Sequence, residues 1–143
     1  MRMKHYAENL PARPSLKLVS ILAALAVAAI PAGALLAQDT GSFTIVENGR
    51  SFSKLQDAVN AIGDGKGTIA IAPGVHRQCA VQSAGSVSYM AVEPGKAIFD
   101  TVTCEGKAAL VLRGTDASVS GIVFRGMKVR DFNGAGIRLE KGN

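Results

Sequence analysis

Tryptophan is absent from this chain of 143 residues, tyrosine occurs twice, and aromatic residues make up 5% of it. Beyond Ala37 the rings are phenylalanines and the single Tyr89. Platforms for stacking bases are therefore scarce. The formal net charge of +5 does not restore a nucleic-acid reading, because Arg2, Lys4, Arg13 and Lys17 against Glu8 carry +3 of it and leave +2 for the rest. Histidine is scarce as well, and His76 is the one that lies beyond Ala37. Two cysteines with no histidine cluster do not make a zinc site, and no cofactor is expected. Long apolar runs are missing too. The helix-forming apolar run is Leu18 to Ile30, ahead of Pro31. As a helix it would rise only about 20 Å, short of a bilayer core of about 30 Å.

That run has a different meaning. It follows a basic segment, Met1 to Lys17, and is closed by Pro31 and the small residues Ala32-Gly33-Ala34. Basic, apolar and small-residue segments in that order mark an export signal. Residues 1–37 are read as a signal peptide, cut before Leu35 or after Ala37. The alternative is an uncleaved signal anchor, since the uncharged stretch continues to Ala37. The expected location is periplasmic or secreted, or else anchored to the inner membrane. Contact with a membrane is expected only through this leader.

What the rest of the chain has is rhythm. Thr68 to Ala72, Val87 to Val92 and Ala109 to Leu112 are short apolar runs, and Ile71, Ala91 and Val111 within them are evenly spaced. A second series begins at Val75, Ile98 and Ile122, at slightly longer steps. Strand-like runs at such a period predict a β-solenoid, in which each coil buries its apolar side against the next. An antiparallel sandwich also spaces short strands by turns and is the alternative. Cys79 and Cys104 are separated by close to one coil. Neighbouring coils lie about 4.8 Å apart, within reach of a disulfide's Cα separation of about 4.4–6.8 Å. A Cys79–Cys104 disulfide is therefore expected.

Residues 38–51 read as a linker with a short strand, Phe43 to Val46. A helix is expected from about Phe52 to Ile62, capped by Ser51 or Ser53. Its Phe52, Leu55, Val59 and Ile62 share one face, and Gly63-Asp64-Gly65 ends it. Such a helix either covers the open end of the first coil or packs beside a sheet. Residues 52–143 are then the N-terminal coils of a β-helix domain. Gly136 to Leu139 starts a further strand close to Asn143, so the sequence is expected to be the N-terminal fragment of a longer protein.

Helix, apolar strand and Ala72-Pro73-Gly74-Val75-His76-Arg77 together resemble the opening segment of the pectate-lyase-like superfamily. His76 stands where tyrosine is usual in that family. Glu93 to Asp100 resembles its second coil, and Val119 to Phe124 and Gly134 to Glu140 its third and fourth. The resemblance covers Phe52 to Asn143. It implies an all-β fold, a right-handed parallel β-helix with an N-terminal amphipathic capping helix, truncated at its C-terminal end. The superfamily includes lyases, hydrolases, epimerases and non-enzymatic proteins, so enzymatic activity stays open. Its lyases use a Lys or Arg base with Ca²⁺ held by acidic residues, and its hydrolases use clustered Asp. No motif here matches those sets, so a calcium site is an expectation only for the longer protein.

Candidate site residues are few. Arg113, Arg125, Lys128, Arg130 and Arg138 crowd the C-terminal part of the chain. Arg125, Lys128 and Arg130 are expected to bind an acidic polysaccharide, or else to form a solvated outer face. Asp100 and Asp131 are candidate acids or turn residues. His76 is a candidate acid–base group or a structural one. Asp131 to Gly136 lengthens one coil and either walls a groove or is a plain insertion. The expected function is an exported protein that binds or processes an acidic polysaccharide. The alternative is a non-catalytic cell-envelope or adhesion module.

Overall fold

The structure is a computed structural model and describes residues 41–140. The leader over 1–37, the start of the linker and the last three residues lie outside the described residues. The described part begins with two short strands, β1 (Phe43–Ile45) and β2 (Ser51–Phe52), and one helix, α1 (Leu55–Ile62). Nine strands follow as three sets of three. The first repeat is β3 (Lys66–Ile71), β4 (Gly74–His76) and β5 (Ala80–Gln82). The second is β6 (Ser86–Ala91), β7 (Ala97–Asp100) and β8 (Ala108–Leu112). The third is β9 (Asp116–Ser120), β10 (Ile122–Arg125) and β11 (Ala135–Leu139).

Corresponding strands of the repeats pair in parallel. The first sheet has the order β2-β1-β3-β6-β9, the second β10-β7-β4, and the third β11-β8-β5. Among these strands only β1 makes antiparallel pairs, with β2 and with β3. The described residues are thus mostly strand, with one small helix and no closed barrel. Alternation sets which side chains point inward. Ile69 and Ile71 of β3, and Val87, Tyr89 and Ala91 of β6, are buried between more exposed neighbours. The inward rings of the second sheet, joined by Phe43 of β1, form an aromatic ladder. Phe43, His76, Phe99 and Phe124 follow one another at ring separations of 5.2, 5.5 and 5.7 Å. Close turns join the sheets. Gly85 has φ +66, and a Cβ there would lie 2.5 Å from the carbonyl oxygens of Gly63 and Gly65. Only glycine fits both the backbone and the space.

Three expectations need correction. Val111 does not share a sheet with Ile71 and Ala91. Ile71 and Ala91 do pair in parallel, but Val111 lies in β8 and pairs with Val81. The true third member of the first series is β9, where Met90 faces Ser120. Ala108–Leu112 is apolar throughout and buried throughout, so its pattern carries no label for its sheet. β9 alternates small polar residues and shows no apolar run. In the second series, Val75 faces Ile98 as expected, but Ile98 faces Val123 rather than Ile122.

The helix also starts later than expected. Phe52 belongs to β2, opposite Phe43. The residue before the helix is Lys54, and neither serine caps it. Instead Gln78, 23 residues on, accepts the Leu55 N–H at 2.8 Å and donates to the Ser53 carbonyl at 2.9 Å. Gly63 ends the helix as expected, donating its N–H to the Val59 carbonyl at 3.1 Å. Leu55, Ala58 and Val59 join the core formed with Phe43, Ile45 and Ile69. Gln56 completes the cover by accepting from the Val81 N–H at 2.8 Å and donating to the Val81 carbonyl at 3.0 Å. It thereby takes the place of a strand beside β5.

Finally, His76 is not on a strand surface. It is 7% exposed, and its Nε2 donates to the Ala72 carbonyl at 2.8 Å. Its ring fills one rung of the aromatic ladder, which makes it structural.

Candidate functional site

Charged residues gather where the chain passes from the second sheet to the third. This corner lengthens from repeat to repeat, through residues 77–79, then 101–107, then 126–134. The corresponding crossing from first to second sheet does not lengthen in this way, running through 72–73, 92–96 and then 121 alone, so chemistry can be added at this corner without disturbing the pairing. Arg77 opens it in the first repeat, and Asp100 and Arg125, the last residues of β7 and β10, stand at its start in the second and third. Asp100 lies 4.0 Å from Arg77 and 3.2 Å from Arg125. Strand register forces this contact, since Arg125 pairs directly with Asp100. The guanidiniums remain in water, at 75% and 53% side-chain exposure, while Asp100 is 13% exposed. The shared carboxylate is therefore the ordered centre and the two arginines are the accessible rim.

Lys128 and Arg130 lie further along the last corner. Both are exposed, and neither has a carboxylate partner among the described residues. Asp131 forms a local turn, its Oδ1 accepting the Asn133 N–H at 3.2 Å. Phe132 at the tip has φ 62 and is 95% exposed. Asp131 is thus a turn residue, and Asp100 an ion-pair residue with both oxygens facing cations.

Arg113 and Arg138 behave differently from the other cations. Arg113 bonds both Glu105 and Glu140. Lys107 reaches the same two carboxylates, at 3.3 and 2.8 Å, and Arg138 adds a contact to Glu140 at 3.6 Å. Lys107 precedes β8 and Arg113 follows it, so bonds that join them through shared carboxylates must cross one face of that strand. The inner face is filled by Leu110 and Leu112. The network therefore spans the outer face, over Val111, which is fully buried although Val81 and Arg138 beside it are not. The charges hold one another in their ionised forms. Hydrogen bonds from Arg113 chiefly, and then Lys107, lower the Glu105 carboxyl to about 2. Lys107 and Arg113 lower Glu140 in the same way, and Glu140 chiefly raises Lys107.

Of the candidate cations, the structure thus draws Arg125 to Asp100, leaves Lys128 and Arg130 accessible, and takes Arg113 and Arg138 into a network with Lys107, Glu105 and Glu140. The reading from sequence missed Glu105, Lys107 and Glu140. Their one signal is that Arg113 and Glu140 lie about one repeat apart in the chain, and that spacing has meaning only once β8 is known to pair with β11. It also missed Gln82, which is fully buried. Gln82 Nε2 donates to the Gly85 and Asp116 carbonyls at 3.0 and 2.9 Å, and its Oε1 accepts from Tyr89 at 3.3 Å. Burial pushes the Tyr89 hydroxyl pKa up, so it stays a neutral donor. The expected disulfide is present, with Cys79 and Cys104 Cα atoms 5.4 Å apart. Among the described residues no helix is long and apolar enough to cross a membrane. No family model matches the chain, and no curated protein or solved structure matches it either.

Proposed function

We propose that the chain forms coils of a right-handed parallel β-helix of the pectate-lyase-like kind, exported from the cytoplasm, that binds an acidic extracytoplasmic polysaccharide. Three strand series, each parallel and each in the same order, support the β-helix. Right-handedness follows the family resemblance and the strong general preference for right-handed crossovers between parallel strands. The disulfide suits an oxidising compartment.

The observation that carries the ligand is the uneven charge of the lengthening corner. Arg77 and Arg125 share one carboxylate, and Lys128 and Arg130 stand exposed beside them. A row of cations along a corner suits an extended polyanion better than a compact ligand. Binding without turnover is the form we favour, as in a cell-envelope or adhesion module. Glu105 and Glu140 are each held in ionised form by cations, and a carboxylate held in that way is a poor general base.

The test is binding of the full chain to a polyuronate and to a neutral glycan of similar length. Polyuronate should bind more tightly, and its affinity should fall as salt rises. Replacing Lys128→Ala and Arg130→Ala together should weaken it by at most about thirtyfold, as exposed charges contribute roughly 1 kcal/mol or less each. Equal binding of both glycans, or of neither, would refute the reading.

A further inference from the structure

Three separate features meet at the start of α1. The first is the helix cap. Lys54 offers no capping side chain, and Gln78 holds the peptide on both sides of it, at Leu55 N and Ser53 O. The second is the disulfide. Cys79 follows Gln78 directly and is bonded to Cys104 in the 101–107 segment. That segment is itself tied down by Glu105 and Lys107 in the charged network. The third is access. A shallow cleft lined by Lys54, Gln56, Gln78 and Cys79 opens beside the helix start, and both cysteines are partly exposed.

We infer that the Cys79–Cys104 disulfide is a redox-sensitive latch on α1, opened by a dithiol that attacks from the cleft at Cys79. A thiolate entering there forms a bond to Cys79 Sγ, and the Cys79–Cys104 bond breaks with Cys104 leaving as thiolate. The second thiol of the reductant then attacks its own sulfur in the mixed disulfide and releases Cys79. The dithiol is oxidised to a disulfide by two electrons, and the two cysteines take them up as thiols. Lys54 lines the same cleft, and a cation near an entering thiol favours its thiolate form. The helix is the part that responds, because eight residues do not hold a helix without tertiary support. Its cap is on the residue next to the latch. Freed from Cys104, residues 77–79 lose the anchor that positions Gln78. The α1 start then opens, and with it the Gln56 bonds that cover Val81 at the β5 edge.

The test uses trypsin on the folded full chain, with and without dithiothreitol. Cleavage of Lys54–Leu55 reports the helix start, and cleavage of Lys66–Gly67 within β3 reports opening of the sheets. Reduction should raise the rate at Lys54 relative to that at Lys66 by about tenfold, as expected for loss of a helix cap. Gln78→Ala in the oxidised protein should give a similar rise. Gln78→Glu, which keeps the acceptor for Leu55 N, should restore most of the protection. Brief treatment with glutathione followed by alkylation should place glutathione on Cys79 and the alkyl group on Cys104. An unchanged ratio, an equal rise at both bonds, an inert Gln78→Ala variant, or an adduct mainly on Cys104 would each overturn the latch as stated.

Discussion

At the outer edge of the first repeat, β1 pairs along β3, and Phe43, Ile69 and Ile71 are fully buried. At the outer edge of the third repeat, Ile137 and Leu139 of β11 are 38% and 77% exposed. The repeats pair in parallel in all three sheets, so the pairing between them does not cause the difference. What covers the outermost strands does. Beyond β1, side chains stand in for a further strand. Gln56 satisfies Val81 on the first-repeat edge. Glu47 does so for β3, its carboxylate accepting the Thr68 N–H at 3.0 Å, and that bond chiefly lowers its pKa. Gln78 holds the helix that covers the core. Three polar side chains therefore help to turn an exposed strand edge into a closed one, and β9 to β11 have no equivalent among the described residues.

The sharpest way to break this comparison is to cut one large side chain at each edge. Phe43→Ala removes the first rung of the aromatic ladder and should cost about 3–5 kcal/mol in denaturant unfolding. Leu139→Ala, at the exposed edge, should change stability by less than about 0.5 kcal/mol. Equal costs would mean that the two edges do not differ in burial. Gln56→Ala comes next. It leaves the part-buried edge groups of Val81 without partners and should cost about 1–3 kcal/mol. Gln56→Glu keeps the acceptor for Val81 N and should recover part of that loss.

Acid should act on the third sheet through Glu105. The Glu105 carboxyl is lowered to about 2 in the folded chain, against about 4.3 for a free glutamate. A depressed carboxyl contributes stability that is present above its unfolded value and is lost as pH falls through the folded one. Melting temperature should therefore drop between about pH 5 and pH 2, and Glu105→Gln should flatten that drop. A profile unchanged by the substitution would remove the network's role over Val111. A small effect on stability is expected at Asp100. Asp100→Asn should cost less than about 1 kcal/mol, since its arginines are largely in water. The same change should tighten polyuronate binding and steepen its salt dependence, because it frees two cations. Weaker binding would argue that the arginines need Asp100 to hold them in place.

Much of this fold was legible because strands and turns leave local marks. The alternation in Lys66–Ile71 and Ser86–Ala91, the glycines after α1 and the spacing of the two cysteines are all visible in the chain. Register was less so. Ala108–Leu112 is apolar at every position, so one strand of it fits any sheet equally well. The corner lengths vary between repeats, so an even step along the chain led to the wrong partner. The candidate site suffered most from this. Arg125 was identified, but its neutralisation by Asp100 depends on a register one residue from the expected one.

The sequence by itself determined the strand-rich content, the inward apolar face of each alternating strand, and the pair of cysteines one repeat apart. These are properties of residues near one another in the chain, where period and turn chemistry act. Only the tertiary structure decided which cations are neutralised and which stay accessible. It also decided that Gln78 rather than a neighbouring serine caps α1, and that His76 is a rung of the core. Each of those outcomes joins groups from different strands or loops. Their energies depend on a distance that exists only after the sheets have paired, so no local pattern encodes them.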